Sequence, residues 1–219
     1  MSKTAIVFGA TGLIGSELLL QLFADPDYDV VVAFVRKPTG IVAAKLEEVI
    51  TDFKDLDSLR IQIKGDVVFC CLGTTIATAG SQAAFRKVDY EMVRWAAVAA
   101  SENKVPHFIV VSSIGANADS GNFYLRTKGE MEKAVSALNF SQCVIVRPSM
   151  LLGPRKEFRF GEKVGKIVMV AFSFLIPAKY KAIQAKQVAK AMITSVRDNR
   201  NSGVIENAEL LKFSSIGRM

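Results

Sequence analysis

The stretch "TAIVFGATGLIGSELL", residues 4–19, decides how this chain is read. An apolar run ends at Phe8, a helical pattern starts near Leu13, and Gly9, Gly12 and Gly15 fall between or just inside them. Glycine permits positive φ and close backbone approach, and the first amides of a helix, with its dipole, favour an anion. The stretch is therefore either a phosphate-binding turn or a tight strand-to-helix turn whose small residues serve packing. Its spacing is GxxGxxG rather than the commoner GxGxxG.

The rest of the pattern supports the first reading. Apolar runs recur at 29–36 ("DVVVAFVR"), 66–73 ("DVVFCCLG"), 107–113 ("HFIVVSS") and 143–148 ("CVIVRP"), several of them apolar on both faces, as strands between helix layers must be. Weaker strand patterns lie at 47–53 and 203–207, and helical ones at 13–23, about 81–102, 122–138 and about 184–197. Alternating strands and helices imply a doubly wound parallel sheet, a Rossmann fold, in the order 3-2-1-4-5-6. The 219 residues fit one domain of this kind. Residues about 149–182 mix loop signals with basic and apolar residues and read as a small cap on the substrate side.

Composition narrows the class. Half of the residues are hydrophobic and 22% charged, as in ordinary globular proteins. The net charge of +7 is scattered, without a basic block or a nucleic-acid module, so no nucleic-acid partner is expected. Cys70, Cys71 and Cys143 form neither a disulfide framework nor a metal spacing, so no metal is expected. The N-terminal residues run straight into a strand pattern without the apolar segment of a signal peptide, which predicts a cytoplasmic protein. The apolar run 167–177 is too short to span a membrane. Monomer and homodimer are both compatible with the pattern.

A dinucleotide fingerprint places an acid at the end of the second strand to hold the ribose hydroxyls. Arg36 and Lys37 stand there, so the expected cofactor is NADP(H), its 2′-phosphate paired with the guanidinium. Further on, "VVSSIGA" (110–116) ends a strand with Ser112 and Ser113, and "YLRTK" (124–128) puts Tyr124 and Lys128 on one helical face. A phenol is a poor acid or base at neutral pH until a neighbouring cation stabilises its phenolate, which Lys128 would supply. A serine at the strand end could orient a carbonyl.

Together, "GATGLIG", "FRKVDYEMV" (85–93), "VVSSIGAN", "FYLRTKGEME" (123–132) and "VIVRPSMLLGPR" (144–155) resemble the short-chain dehydrogenase/reductase superfamily. Within it the chain is similar to the atypical Tat-interacting-protein oxidoreductases and their bacterial relatives. The resemblance spans residues 4–155, and "AKQVAKAM" (185–192) is similar to a later family helix. It implies catalytic Ser113, in preference to Ser112, with Tyr124 and Lys128. It further implies Gly9, Thr11, Gly12, Leu13 and Ile14 at the pyrophosphate, Arg36 at the 2′-phosphate, and Asp52 and Phe53 at the adenine. Leu72 and Gly73 would border the ribose, Lys128 would also bind the nicotinamide ribose, and Pro148, Ser149 and Met150 would border the nicotinamide. Asp89 stands where extended relatives often carry asparagine.

His107 and Trp95 read as structural, Trp95 sharing helical spacing with Met92 and Ala99. The cluster Arg155, Lys156, Arg159, Lys163 and Lys166 reads either as a solvated cap or as a hold on an anionic substrate tail. The expected function is NADPH-dependent reduction of a small carbonyl compound by Ser, Tyr and Lys. The alternative is an NADPH-binding regulatory protein without turnover, acting through a protein partner. Sugar-nucleotide epimerisation would use the same pair but calls for a roomier substrate domain.

Overall fold

The computed structural model describes residues 3–153 and 177–214. In chain order it gives β1 (Lys3–Phe8), α1 (Leu13–Ala24), β2 (Tyr28–Val35), β3 (Leu46–Ile50), α2 (Leu56–Arg60) and β4 (Val67–Cys70). Then come α3 (Ile76–Ala79), α4 (Gln82–Arg86), a π-helical turn (Lys87–Met92), α5 (Val93–Glu102), β5 (His107–Val111), α6 (Phe123–Ser136) and β6 (Gln142–Arg147). The described chain ends with β7 (Leu151–Leu152), β8 (Ile183–Gln184), α7 (Ala185–Arg197), β9 (Gly203–Glu206) and α8 (Asn207–Leu210).

Seven strands form one sheet in the order β3-β2-β1-β4-β5-β6-β9, every pair parallel. This is the doubly wound order expected from sequence, extended by β9. Side-chain alternation explains why the strands are apolar throughout. Ala5 and Val7 of β1 face a core shared with Leu18, Leu19 and Leu22 of α1 and Val188 and Met192 of α7. Ile6 and Phe8 face the opposite core, with Val93, Ala96 and Ala97 of α5 and Met131 and Val135 of α6. The second layer is aromatic near the carboxyl ends of the strands, where Phe8 stacks on Phe34 at 4.7 Å.

Arg147 at the end of β6 ties the far side of the sheet together, donating from Nε to Glu132 of α6 and from a terminal nitrogen to Glu206 of β9, each at 2.9 Å. The cap expected at about 149–182 is described only at its ends, and β7 at its start pairs in parallel with β8 just beyond it. Its basic cluster and all of its apolar run except Pro177 lie outside the described residues. No described helix is long and apolar enough to cross a membrane.

The helix expected at 81–102 is interrupted by the π turn. Phe85, Asp89 and Val93 are each fully buried and four residues apart. A regular α-helix would rotate such a row by about 40° at each step. The wider π turn keeps all three on the inner face. The expected helix is amphipathic, but one of its inward residues is a carboxylate.

Candidate active site

The three glycines have three different tasks. Gly9 leaves β1 with φ +76°, and a Cβ there would lie 2.5 Å from the carbonyl oxygen of Cys71, beyond the end of β4. Only glycine fits both the conformation and the space. Gly12 closes the turn by donating to the Gly9 carbonyl at 3.0 Å and is the N-cap of α1, without a side-chain cap and with no acid in the first turn. Gly15 lets α1 rest on the turn, since its Cβ would fall 2.1 Å from the Gly9 oxygen. Ile14 is buried in the core and Leu13 half-buried, so what they offer outward is backbone amide, and Thr11 beside them is exposed. An uncapped helix start with free amides and no competing carboxylate suits an anion.

At the next strand end, Arg36 and Lys37 are exposed and, among the described residues, make no ion pair. The nearby carboxylate of Glu48 on β3 is occupied by Thr39, accepting from its amide at 3.0 Å and from its hydroxyl. Beyond β3, exposed Asp52 pairs with Lys54 at 2.8 Å, and the hydrogen bond from Lys54 holds its carboxyl below the usual range. Phe53 adopts φ +58°, an uncommon conformation for a bulky side chain. Its amide bonds to the Thr51 hydroxyl at 3.0 Å and its ring lies 6.5 Å from both Phe8 and Trp95. Trp95 thus belongs to the aromatic layer, as its spacing suggested.

The serine, tyrosine and lysine come from β5 and α6. Ser112 continues the ladder, its amide donating to Val146 at 2.8 Å, and its hydroxyl is buried. Ser113 is half-buried, with its hydroxyl 3.4 Å from the carbonyl of Ile114, a long contact that a better acceptor would displace. Asn122 caps α6 by accepting from Leu125 at 3.1 Å. Tyr124 follows in the first turn, half-buried, its ring 5.3 Å from Phe85. Gly129 allows the helix to press on the preceding loop, since a Cβ there would fall 2.1 Å from the Ala118 nitrogen.

Lys128, one turn after Tyr124, is buried, and its Nζ lies 2.7 Å from Oδ1 of Asp89 on the π turn. The Thr74 amide donates to the other carboxylate oxygen at 2.8 Å. Burial alone would pull the lysine down, but the Asp89 charge, then Tyr124, outweigh it and hold Lys128 above its ordinary range. Gly73 packs over this pair: a Cβ on it would lie 3.4 Å from Asp89 Oδ1 and 3.7 Å from Lys128 Nζ. Leu72, half-buried beside it, packs into the aromatic side of the core.

The segment after β6 is held from below. Pro148 is buried and accepts from the Ile114 amide at 3.1 Å, joining it to the serine loop. Ser149 donates its amide to Asn207 Oδ1 at 3.0 Å and its hydroxyl to the Lys181 carbonyl. Both of its polar groups are thereby engaged inside the protein, which leaves Met150, 43% exposed, as the side chain this segment presents. Asn207 is fully buried and also donates to Lys181 and Ala178 at 2.8 and 3.1 Å. The sequence reading did not single it out.

The glycine turn, the basic strand end, the serine loop and the Tyr124–Lys128 face all lie at the carboxyl ends of parallel strands around the β1–β4 junction, where the strand order reverses. That is the topological switch point at which open α/β sheets bind their ligands. Fold and site together define a dinucleotide-binding Rossmann protein.

A family model described as NAD(P)H-binding matches residues 9–199, and the chain belongs to that family. It is 36% identical over 198 residues to "Protein FMP52, mitochondrial" of Meyerozyma guilliermondii, covering 86% of this chain and 83% of that protein. It is 34% identical over 221 residues to "Protein HTATIP2" of Rattus norvegicus, covering 99% of this chain and 90% of that one. This agrees with the resemblance to Tat-interacting-protein oxidoreductases. Among solved structures, the human epimerase family protein SDR39U1 (isoform 2) with NADPH superposes with a TM-score of 0.65 at 19% identity, covering 98% of this chain and 80% of that one.

Proposed function

We propose that the chain is a reductase that uses NADPH to reduce the carbonyl group of a small molecule, with Tyr124 as the proton donor. The buried Lys128 ammonium one helical turn from Tyr124 carries this reading. A phenol gives up a proton more readily when a nearby cation favours the phenolate left behind.

The residues fit the cofactor. Gly9 turns the chain at a positive φ against the Cys71 backbone, as only glycine can, and the Gly12 end of α1 that follows would take the pyrophosphate. Arg36 and Lys37 would take a 2′-phosphate, which is the basis for choosing NADPH over NADH; the NADPH of the human structural neighbour supports the choice only by likeness of fold. Phe53 would border the adenine, with exposed Asp52 beside it.

When bound, the nicotinamide supplies the hydride to the carbonyl carbon. The Ser113 hydroxyl would donate a hydrogen bond to the carbonyl oxygen and orient it. The Tyr124 hydroxyl would give that oxygen its proton, so that hydride and proton together yield an alcohol. Lys128 would stabilise the phenolate and hold the nicotinamide ribose, and Met150 would flank the reacting face.

One observation favours the regulatory reading: the Asp89 carboxylate that pairs with Lys128 also offsets part of the ammonium's field at Tyr124. An NADPH-oxidation screen over aldehydes, ketones and quinones separates the two. Turnover of any such class supports the reductase. A protein that binds NADPH tightly and oxidises it with none of them is a sensor.

A further inference from the structure

Asp89 is a fully buried carboxylate on the π turn of its helix. Taking a charge out of water costs several kcal/mol, so such a group persists only when paired and hydrogen-bonded. Both conditions hold, through Lys128 on one oxygen and the Thr74 amide on the other. Single π turns inside α-helices are found frequently at functional sites. This one carries Asp89 inward while Phe85 and Val93, on the same row, fill the core around it.

We propose that Asp89 is a positioning residue of this site: anchored on the Thr74 amide, its carboxylate fixes where the Lys128 ammonium sits and keeps it charged. The inference rests on the roles proposed above for Tyr124 and Lys128. Asp89 touches neither substrate nor cofactor in this account and acts through Lys128 alone.

Three titratable groups act on the ammonium: Asp89 from the π turn, Tyr124 from its own helix and Cys70 from the end of β4. Burial pushes the Cys70 thiol up to about 12, so it stays protonated and contributes no opposing charge at neutral pH. Asp89, the largest of the three, is therefore the partner that chiefly offsets the burial of Lys128. Without its charge, burial prevails and the lysine loses its proton at lower pH.

The test uses protein labelled with [ε-13C]lysine, with the Lys128 resonance assigned through Lys128→Met and followed against pH in the wild type, Asp89→Asn and Asp89→Glu. In the wild type Lys128 should remain an ammonium where the exposed lysines are losing their protons. In Asp89→Asn its midpoint should fall by about one pH unit or more, the scale of a neighbouring charge, and Asp89→Glu should restore most of the difference. The alkaline limb of kcat for NADPH oxidation should move in the same direction. A midpoint common to the wild type and Asp89→Asn overturns the proposal, even if the variant melts at a lower temperature, because a structural role lowers stability without moving the lysine. If Asp89→Asn does not fold, the wild-type resonance decides: a Lys128 that titrates below the exposed lysines contradicts the proposal. A midpoint that moves in a protein without turnover on any substrate upholds Asp89 and removes the catalytic reading.

Discussion

A Cβ on Gly9 would lie 2.5 Å from the carbonyl oxygen of Cys71, so the glycine turn after β1 is closed by the backbone of the neighbouring strand's end. Gly9→Ala should therefore do two things. Holding a side chain at φ +76° costs about 1–3 kcal/mol, and the contact forces β1 and β4 apart where the pyrophosphate would lie. The expected result is a lower urea midpoint together with a loss of NADPH binding. A variant with wild-type stability and affinity would contradict this reading of the turn.

Cofactor choice rests on Arg36 and Lys37, exposed and unpaired among the described residues. A charge-assisted contact with the 2′-phosphate should favour NADPH over NADH by about 1–3 kcal/mol, or roughly 5- to 150-fold in Kd. Arg36→Asp should reverse the preference, because the new carboxylate repels the phosphate and accepts from a free ribose hydroxyl. Calorimetric titration with both nucleotides checks it, and equal affinities in the wild type would end the claim.

The single histidine gives a stability prediction unrelated to catalysis. Burial, then the charge of Lys3, hold His107 below its ordinary value of 6.5, against the smaller opposing pull of the Gln142 side chain and of the Asp66 charge. The folded state therefore binds its proton less readily than the unfolded chain. Stability from this group is complete above pH 6.5 and is lost as pH falls from there toward the folded value. Urea midpoints should decline over that window in the wild type. They should decline less in His107→Gln, and equal slopes would contradict the assignment.

The sheet was legible because its strands are buried on both faces. The alternation of Ala5 and Val7 with Ile6 and Phe8 is invisible as polarity but plain as an unbroken apolar run. Gly9, Gly12 and Gly15 were legible as a turn, although only the structure separates the conformational task of the first from the packing task of the last. The π turn was not legible, since periodicity scores Asp89 as a surface residue and its partner Lys128 lies on another helix. Asn207 escaped for a similar reason: its bond to Ser149 spans 58 positions, and an asparagine after a short strand reads as an ordinary turn residue. Local pattern reveals groups that serve their own element. Buried polar groups that join distant elements leave no periodic trace.

The proton-donor role of Tyr124 is tested most directly by Tyr124→Phe, which removes the hydroxyl and keeps the ring packed at 5.3 Å from Phe85. With a carbonyl substrate in hand, kcat for NADPH oxidation should fall by about 10²–10⁴ while the Kd for NADPH stays nearly unchanged. Turnover by Tyr124→Phe at the wild-type rate would contradict the mechanism.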